Sequence, residues 1–129
     1  MTARTLLATT VAMLVVAPSL ATAQQTLVGA LALNSSSTRY GWAANYDTAS
    51  AATQRALNEC GSGCRLVATF RGCGALAVES GREVRNAAGW SFDWPTRGQA
   101  ENGAMRACAN RGGRSCRIVV SQCNRSRGE

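Results

Sequence analysis

GWAANYDTASAATQRALNEC, residues 41–60, and GWSFDWPTRGQAENGAMRAC, residues 89–108, carry the same punctuation 48 positions apart. Setting Cys60 over Cys108 places Trp42 over Trp90, Tyr46 over Trp94, Thr48 over Thr96, Ala52 over Ala100 and Ala56 over Ala104 without a gap. In the first copy Tyr40, Trp42, Ala44 and Tyr46 fall on alternate positions, the period of a strand, which predicts three aromatics on one buried face. Asp47 and Thr48 then offer oxygens to the first amides of a helix. Ala49, Ala52, Ala56, Leu57 and Cys60 recur at helical spacing, a small-residue face that brings a helix backbone close to a sheet, and Gly61-Ser62-Gly63 ends it. In the second copy Trp90, Phe92 and Trp94 share a strand face, Pro95 stops the strand, and Thr96 with Gln99 forms a capping box. Gly98 and Gly103 weaken that helix by about 1 kcal/mol each against alanine, so it must rely on packing.

Working outward, Cys64-Arg65-Leu66-Val67 matches Cys116-Arg117-Ile118-Val119 once the second loop is allowed four extra residues. Each copy then reads strand, helix, cysteine, loop, cysteine, strand. The expectation is an α+β domain of two β-α-β half-repeats with pseudo-twofold symmetry, disulfide-stapled, its helices on a mixed sheet. Each half would be a parallel strand pair with a right-handed crossover. A ferredoxin-like arrangement with one added hairpin fits this description, the hairpin running from 64–71 through Gly72-Cys73-Gly74 into 75–79. Six of the seven aromatics lie in the two copied strands, which marks them as interior fill.

The ends are read separately. Residues 1–23 have the three parts of a secretory signal: Arg4, an apolar run over 6–17, and Ala21-Thr22-Ala23 as an A-x-A cleavage site. The apolar run is shorter than the ~20 residues of a spanning helix, so no transmembrane anchor is expected after cleavage. Residues 24–38, ending in Asn34-Ser35-Ser36-Ser37-Thr38, read as a flexible N-terminal arm, and 39–129 as a single domain. Every basic residue is Arg. Without Arg4, thirteen Arg face seven acids, with no Lys and no His. That excess favours an acidic protein or an anionic envelope polymer as partner, while no motif marks a specific nucleic-acid binder.

All six cysteines, Cys60, Cys64, Cys73, Cys108, Cys116 and Cys123, follow the cleavage site, and an even number in an exported chain reads as disulfides. Six cysteines admit fifteen pairings. The repeat singles out Cys60 with Cys64 and Cys108 with Cys116 as equivalent local bridges, leaving Cys73 with Cys123 to tie the halves together. The spacings and the absence of histidine speak against a metal site, and no cofactor motif is present.

Hydrolytic triads and dyads need a histidine or lysine base, which this chain lacks. A pair of carboxylates remains as the alternative, a small envelope hydrolase drawing on Asp47, Glu59, Glu79, Glu83, Asp93, Glu101 or Glu129. Caps, helix faces and loops account for most of these acids, and the repeat places Asp47 over Pro95 and Asp93 over Asn45, so the two aspartates are not equivalent. The sharper feature is RGGRSCR, where Arg111, Arg114 and Arg117 crowd the loop after the second helix. Pinned by a Cys108–Cys116 bridge, that loop would present guanidinium groups to an acidic surface at little ordering cost.

The pattern YGWAANYDTASAATQRALNEC, then CRLVATFRGCGALAV, then a second helix ending in Ala107-Cys108 before CRIVVSQCN, resembles the bacterial exported family catalogued as domain of unknown function 4189. The resemblance spans about residues 39–124. It implies a small secreted or periplasmic protein with paired cysteines and supplies no catalytic residues. The expected function is therefore a non-enzymatic binding module of the cell envelope that blocks a partner through the Arg loop.

Overall fold

The computed structural model describes residues 12–16, 26–80 and 87–126. Its elements are β1 (Val28–Leu33), β2 (Tyr40–Tyr46), α1 (Ala49–Cys60), β3 (Arg65–Phe70), β4 (Cys73–Glu79), β5 (Ala88–Trp94), α2 (Arg97–Asn110) and β6 (Cys116–Cys123). They build two antiparallel sheets of three strands, ordered β2-β1-β3 and β5-β4-β6. The α+β class, the two-half arrangement and the disulfides hold. Each half, however, is strand, strand, helix, strand.

The additional strand changes the expected topology in three places. β2 and β3 run the same way around α1, but β1 lies between them and pairs antiparallel with both, so no parallel ladder forms and neither sheet is mixed. The ferredoxin-like single sheet is replaced by two. The segment expected as a flexible arm supplies β1, the centre of its sheet, through residues 28–33; residues 24 and 25 lie outside those described. VGALAL is buried along its whole length and shows no polar alternation, as expected of a strand covered on both faces. Lastly, β3 and β4 do not form a hairpin: Arg71 and Gly72 carry the chain from one sheet to the other.

The layers follow from side-chain size. On β1, Val28, Ala30 and Ala32 face α1 and meet Ala52, Ala56 and Cys60, while Leu31 and Leu33 face the opposite sheet. β4 repeats the scheme, with Cys73, Ala75 and Ala77 against Ala100, Ala104 and Cys108 of α2, and Leu76 and Val78 turned inward. The sheets thus pack on each other through large side chains, and a helix covers each outer face through small ones. Trp42, Phe70 and Phe92 join the two sheets at the centre, with ring centroids 4.9 Å apart for Trp42–Phe70 and 5.0 Å for Phe70–Phe92. Gly41 and Gly89 set the depth of the helices. A Cβ at either would overlap helix backbone, at Ala56 and Cys60 in one half and at Ala104 and Cys108 in the other.

The expectation of three aromatics on one face fails at the third ring of each strand. Asn45 and Asp93 take left-handed backbone, φ 64° and 62°, and the register with the central strand slips beside each of them. Such a bulge reverses the alternation, so Tyr46 and Trp94 turn to the helix side while Trp42, Trp90 and Phe92 stay inside. Asn and Asp tolerate this conformation better than most residues. Each also reaches into the other half: the Arg125 backbone N–H donates to Asn45 Oδ1 and the Arg71 N–H donates to Asp93 Oδ1.

Thr48 and Thr96 cap α1 and α2, accepting from the N–H groups of Ala51 and Gln99. The three bridges are Cys60–Cys64, Cys73–Cys123 and Cys108–Cys116, as the repeat implies. The second does not tie the halves, because Cys73 begins β4 and faces Cys123 across the same sheet. The tie is Asn124. Buried after β6, it accepts the Asn45 N–H at Oδ1 and donates through Nδ2 to the carbonyls of Phe70 and Gly72.

Candidate functional site

Two places on this frame carry polar groups beyond what folding requires. The first is the arginine loop. α2 ends at Arg111, whose N–H is held by the Ala107 and Cys108 carbonyls, and Gly112 follows at φ 94°, a left-handed turn that glycine adopts without strain. The Cys108–Cys116 bridge closes the loop against β6. Arg111 stacks its guanidinium 3.8 Å over the Trp90 ring and donates from Nη1 to the Ala88 carbonyl at 3.3 Å. Arg114 anchors its backbone N–H on Glu79 Oε1 and leaves its side chain exposed; Arg117, two residues beyond the loop on β6, is also exposed. Arg111 is thus tied down on the fold, whereas Arg114 and Arg117 face solvent.

A cation at the C-terminal end of a helix complements its macrodipole, which is why an arginine sits comfortably where α2 stops. The equivalent loop in the first half, between Cys60 and Cys64, has no arginine of its own. Its carbonyls are taken by Arg39, which donates from Nε to Cys60 O at 2.7 Å and from Nη2 to Ser62 O.

The second place is a cleft of about 350 Å³ where the β2 edge of one sheet meets the β6 edge of the other, beneath α1. Trp42, Tyr46, Arg55, Glu59, Val120 and Gln122 line it. Glu59 Oε1 pairs with Arg55 at 2.6 Å, and its Oε2 accepts the Trp42 backbone N–H at 3.2 Å. The Trp42 indole N–H donates to Gln122 Oε1 at 2.9 Å. A carboxylate that covers an outward N–H of an edge strand also blocks pairing with another chain there.

Of the acids considered from sequence, Asp93 is occupied at its bulge, Glu101 accepts from Ser121 Oγ at 2.6 Å, and Glu79 holds the arginine loop. Glu83 and Glu129 fall outside the described residues. Among the described residues Glu59 is the one carboxylate lining the cleft. The six cysteines are all bridged and offer no thiolate. The segment expected as a secretory signal likewise falls almost wholly outside the described residues; within 12–16, Met13, Leu14, Val15 and Val16 are exposed. No described helix is long and apolar enough to cross a membrane.

Sequence reasoning missed Glu59 and Gln122 as partners of Trp42, because they lie on different elements and 63 positions apart. It missed Asn124 as well. Neither a spacing nor a motif announces these contacts; only the packing of sheet on sheet creates them. For β1 a signal was present: GALAL at 29–33 recurs as GALAV at 74–78, ahead of each copied strand.

No curated protein and no solved structure matches this chain. A family model matches residues 28–123, from the first residue of β1 to the last of β6, and the chain belongs to that family, described as Domain of unknown function (DUF4189).

Proposed function

We propose that this protein is an exported, non-enzymatic binding module of the cell envelope, secreted or periplasmic, that occupies an acidic surface on a partner protein and blocks it. The observation that carries the reading is the bridged loop after α2. Arg114 stands exposed in that loop and Arg117 exposed on β6 just after it, while Arg111 is fixed over Trp90 on β5. Ordering such a loop in advance reduces the entropy lost on binding, and guanidinium groups grip carboxylates through paired hydrogen bonds. Export is supported by the signal pattern over residues 1–23 and by three disulfides, which persist in oxidising compartments. The hydrolase alternative asks for two carboxylates flanking one bond, whereas the described cleft offers Glu59, already paired with Arg55.

The test compares the mature chain with an Arg111→Gln, Arg114→Gln, Arg117→Gln variant in capture of partners from envelope extract at low and high salt, alongside a peptidoglycan turnover assay. The expected outcome is salt-sensitive capture by the parent chain, its loss in the variant, and no turnover by either. An Arg114→Gln, Arg117→Gln variant leaves the Trp90 stack in place and should lose most of the capture. Capture that ignores the substitutions, or turnover by the parent chain, overturns the reading.

A further inference from the structure

The geometry points to a second binding site in the cleft between β2 and β6, one that takes an uncharged sugar unit. It lies toward the end of β6 at Gln122, away from the arginine loop at the start of that strand, and it does not rest on the loop reading. Its volume of about 350 Å³ is at the small end of the roughly 300–1,000 Å³ range of ligand sites.

The polar groups are fixed before any ligand arrives. Glu59 is held from two sides, by Arg55 and by the Trp42 N–H, and Gln122 is held at Oε1 by the Trp42 indole. That orientation leaves the amide hydrogens of Gln122, the outer lone pairs of Glu59, the Arg55 guanidinium and the Tyr46 hydroxyl to serve a ligand. The formal charges cancel: an anion would meet Glu59 and a cation would meet Arg55. Planar amide, carboxylate and guanidinium groups each match two neighbouring hydroxyls, and Tyr46 and Val120 supply apolar wall for the carbon-bound hydrogens of a ring.

The pseudo-equivalent edge in the other half sharpens the case. There the repeat places Gly103 at the position of Arg55, Ala107 at that of Glu59 and Phe70 at that of Gln122. Phe70 is buried in the central ring cluster, and the Trp94 indole donates to Ser91 Oγ. At these helix and strand positions the other half has small and apolar residues, and the charge on its edge comes from Arg111 over Trp90, so the fold itself does not call for this carboxylate, guanidinium and amide set around Trp42.

The experiment follows the indole and side-chain amide resonances of the oxidised mature protein by nitrogen-edited NMR. Four probes are titrated: chitotriose and maltotriose as neutral sugars, sialyllactose as an anionic one, and glycylglycine as a zwitterion. The expected result is a saturable shift of the Trp42 indole and Gln122 amide resonances with at least one neutral sugar. Affinity should fall about tenfold in Glu59→Gln, which keeps an oxygen for the Trp42 N–H, and in Gln122→Ala. The Arg114→Gln, Arg117→Gln variant should bind the sugar unchanged, so failure of the loop reading leaves this result standing and the converse holds too. Absence of a saturable shift with either neutral sugar, preference for sialyllactose or glycylglycine, or undiminished affinity in a folded Glu59→Gln overturns the proposal.

Discussion

The two halves share a backbone plan and differ in how each is locked. Both place a threonine at the helix start, a glycine beneath the helix, a left-handed residue at the bulge and a bridge across the helix-to-strand loop. The second half adds Cys73–Cys123 across β4 and β6, where the first has Val28 and Arg71 at the corresponding positions. The first half instead spends charged groups on its edge: Glu59 covers the Trp42 N–H of β2, whereas in the second half Arg111 covers the Ala88 carbonyl of β5. An acid on a donor and a base on an acceptor serve the same protective purpose. What differs is the surface left over, a neutral polar cleft where α1 and β2 of the first half meet β6 of the second, and a cationic loop at the end of α2.

The comparison is broken most severely at the glycines. Gly41→Ala and Gly89→Ala each force a Cβ into helix backbone and should cost about 3–4 kcal/mol in urea unfolding with the disulfides intact. Equal costs would mark the two helix-sheet contacts as equivalent. A much smaller loss at Gly89 would mean that α2, weakened by Gly98 and Gly103, moves aside. Next in size, replacing Cys73 and Cys123 together by alanine should lower stability by about 3 kcal/mol, and moving the bridge to Val28→Cys with Arg71→Cys should return about 2 kcal/mol to the first half. Failure of the transplanted pair to oxidise, read by thiol titration, would show that the two central ladders differ in geometry. The smallest effect is at the bulges. Alanine at Asn45 or Asp93 should be about 1 kcal/mol worse than glycine, because both lose the side-chain contact but only alanine pays for left-handed backbone.

Much of this plan was legible. Alternation in 40–46 and 88–94, capping threonines and the helical spacing of Ala52, Ala56 and Cys60 located β2, α1, β5 and α2, and the repeat paired the cysteines. β1 escaped because a strand covered on both faces loses the polar alternation that identifies strands, and because a run of serines followed it. The division into two sheets escaped because Gly72-Cys73-Gly74 resembles a hairpin turn, and nothing local tells a chain that returns to its own sheet from one that crosses to the next. Of the candidate sites, the arginine loop could be named because its residues are contiguous. The cleft assembles from a strand, a helix face and a distant strand, and it exists only once the layers meet.

Thr26 bridges Ser126, and the Leu27 N–H donates to the Arg125 carbonyl, so the outer ends of the two halves lie side by side. Along the chain the halves are joined by Arg71 and Gly72 at this same end, where the Arg71 side chain donates to the Thr26 carbonyl and the Asn124 N–H donates to the Gly72 carbonyl. A gene rearranged to begin at β4, with a short tether from residue 126 to residue 26, would therefore encode the same body in the reverse order. Its order of synthesis would be inverted while every disulfide partner stayed within its own half, which separates vectorial folding from the architecture itself.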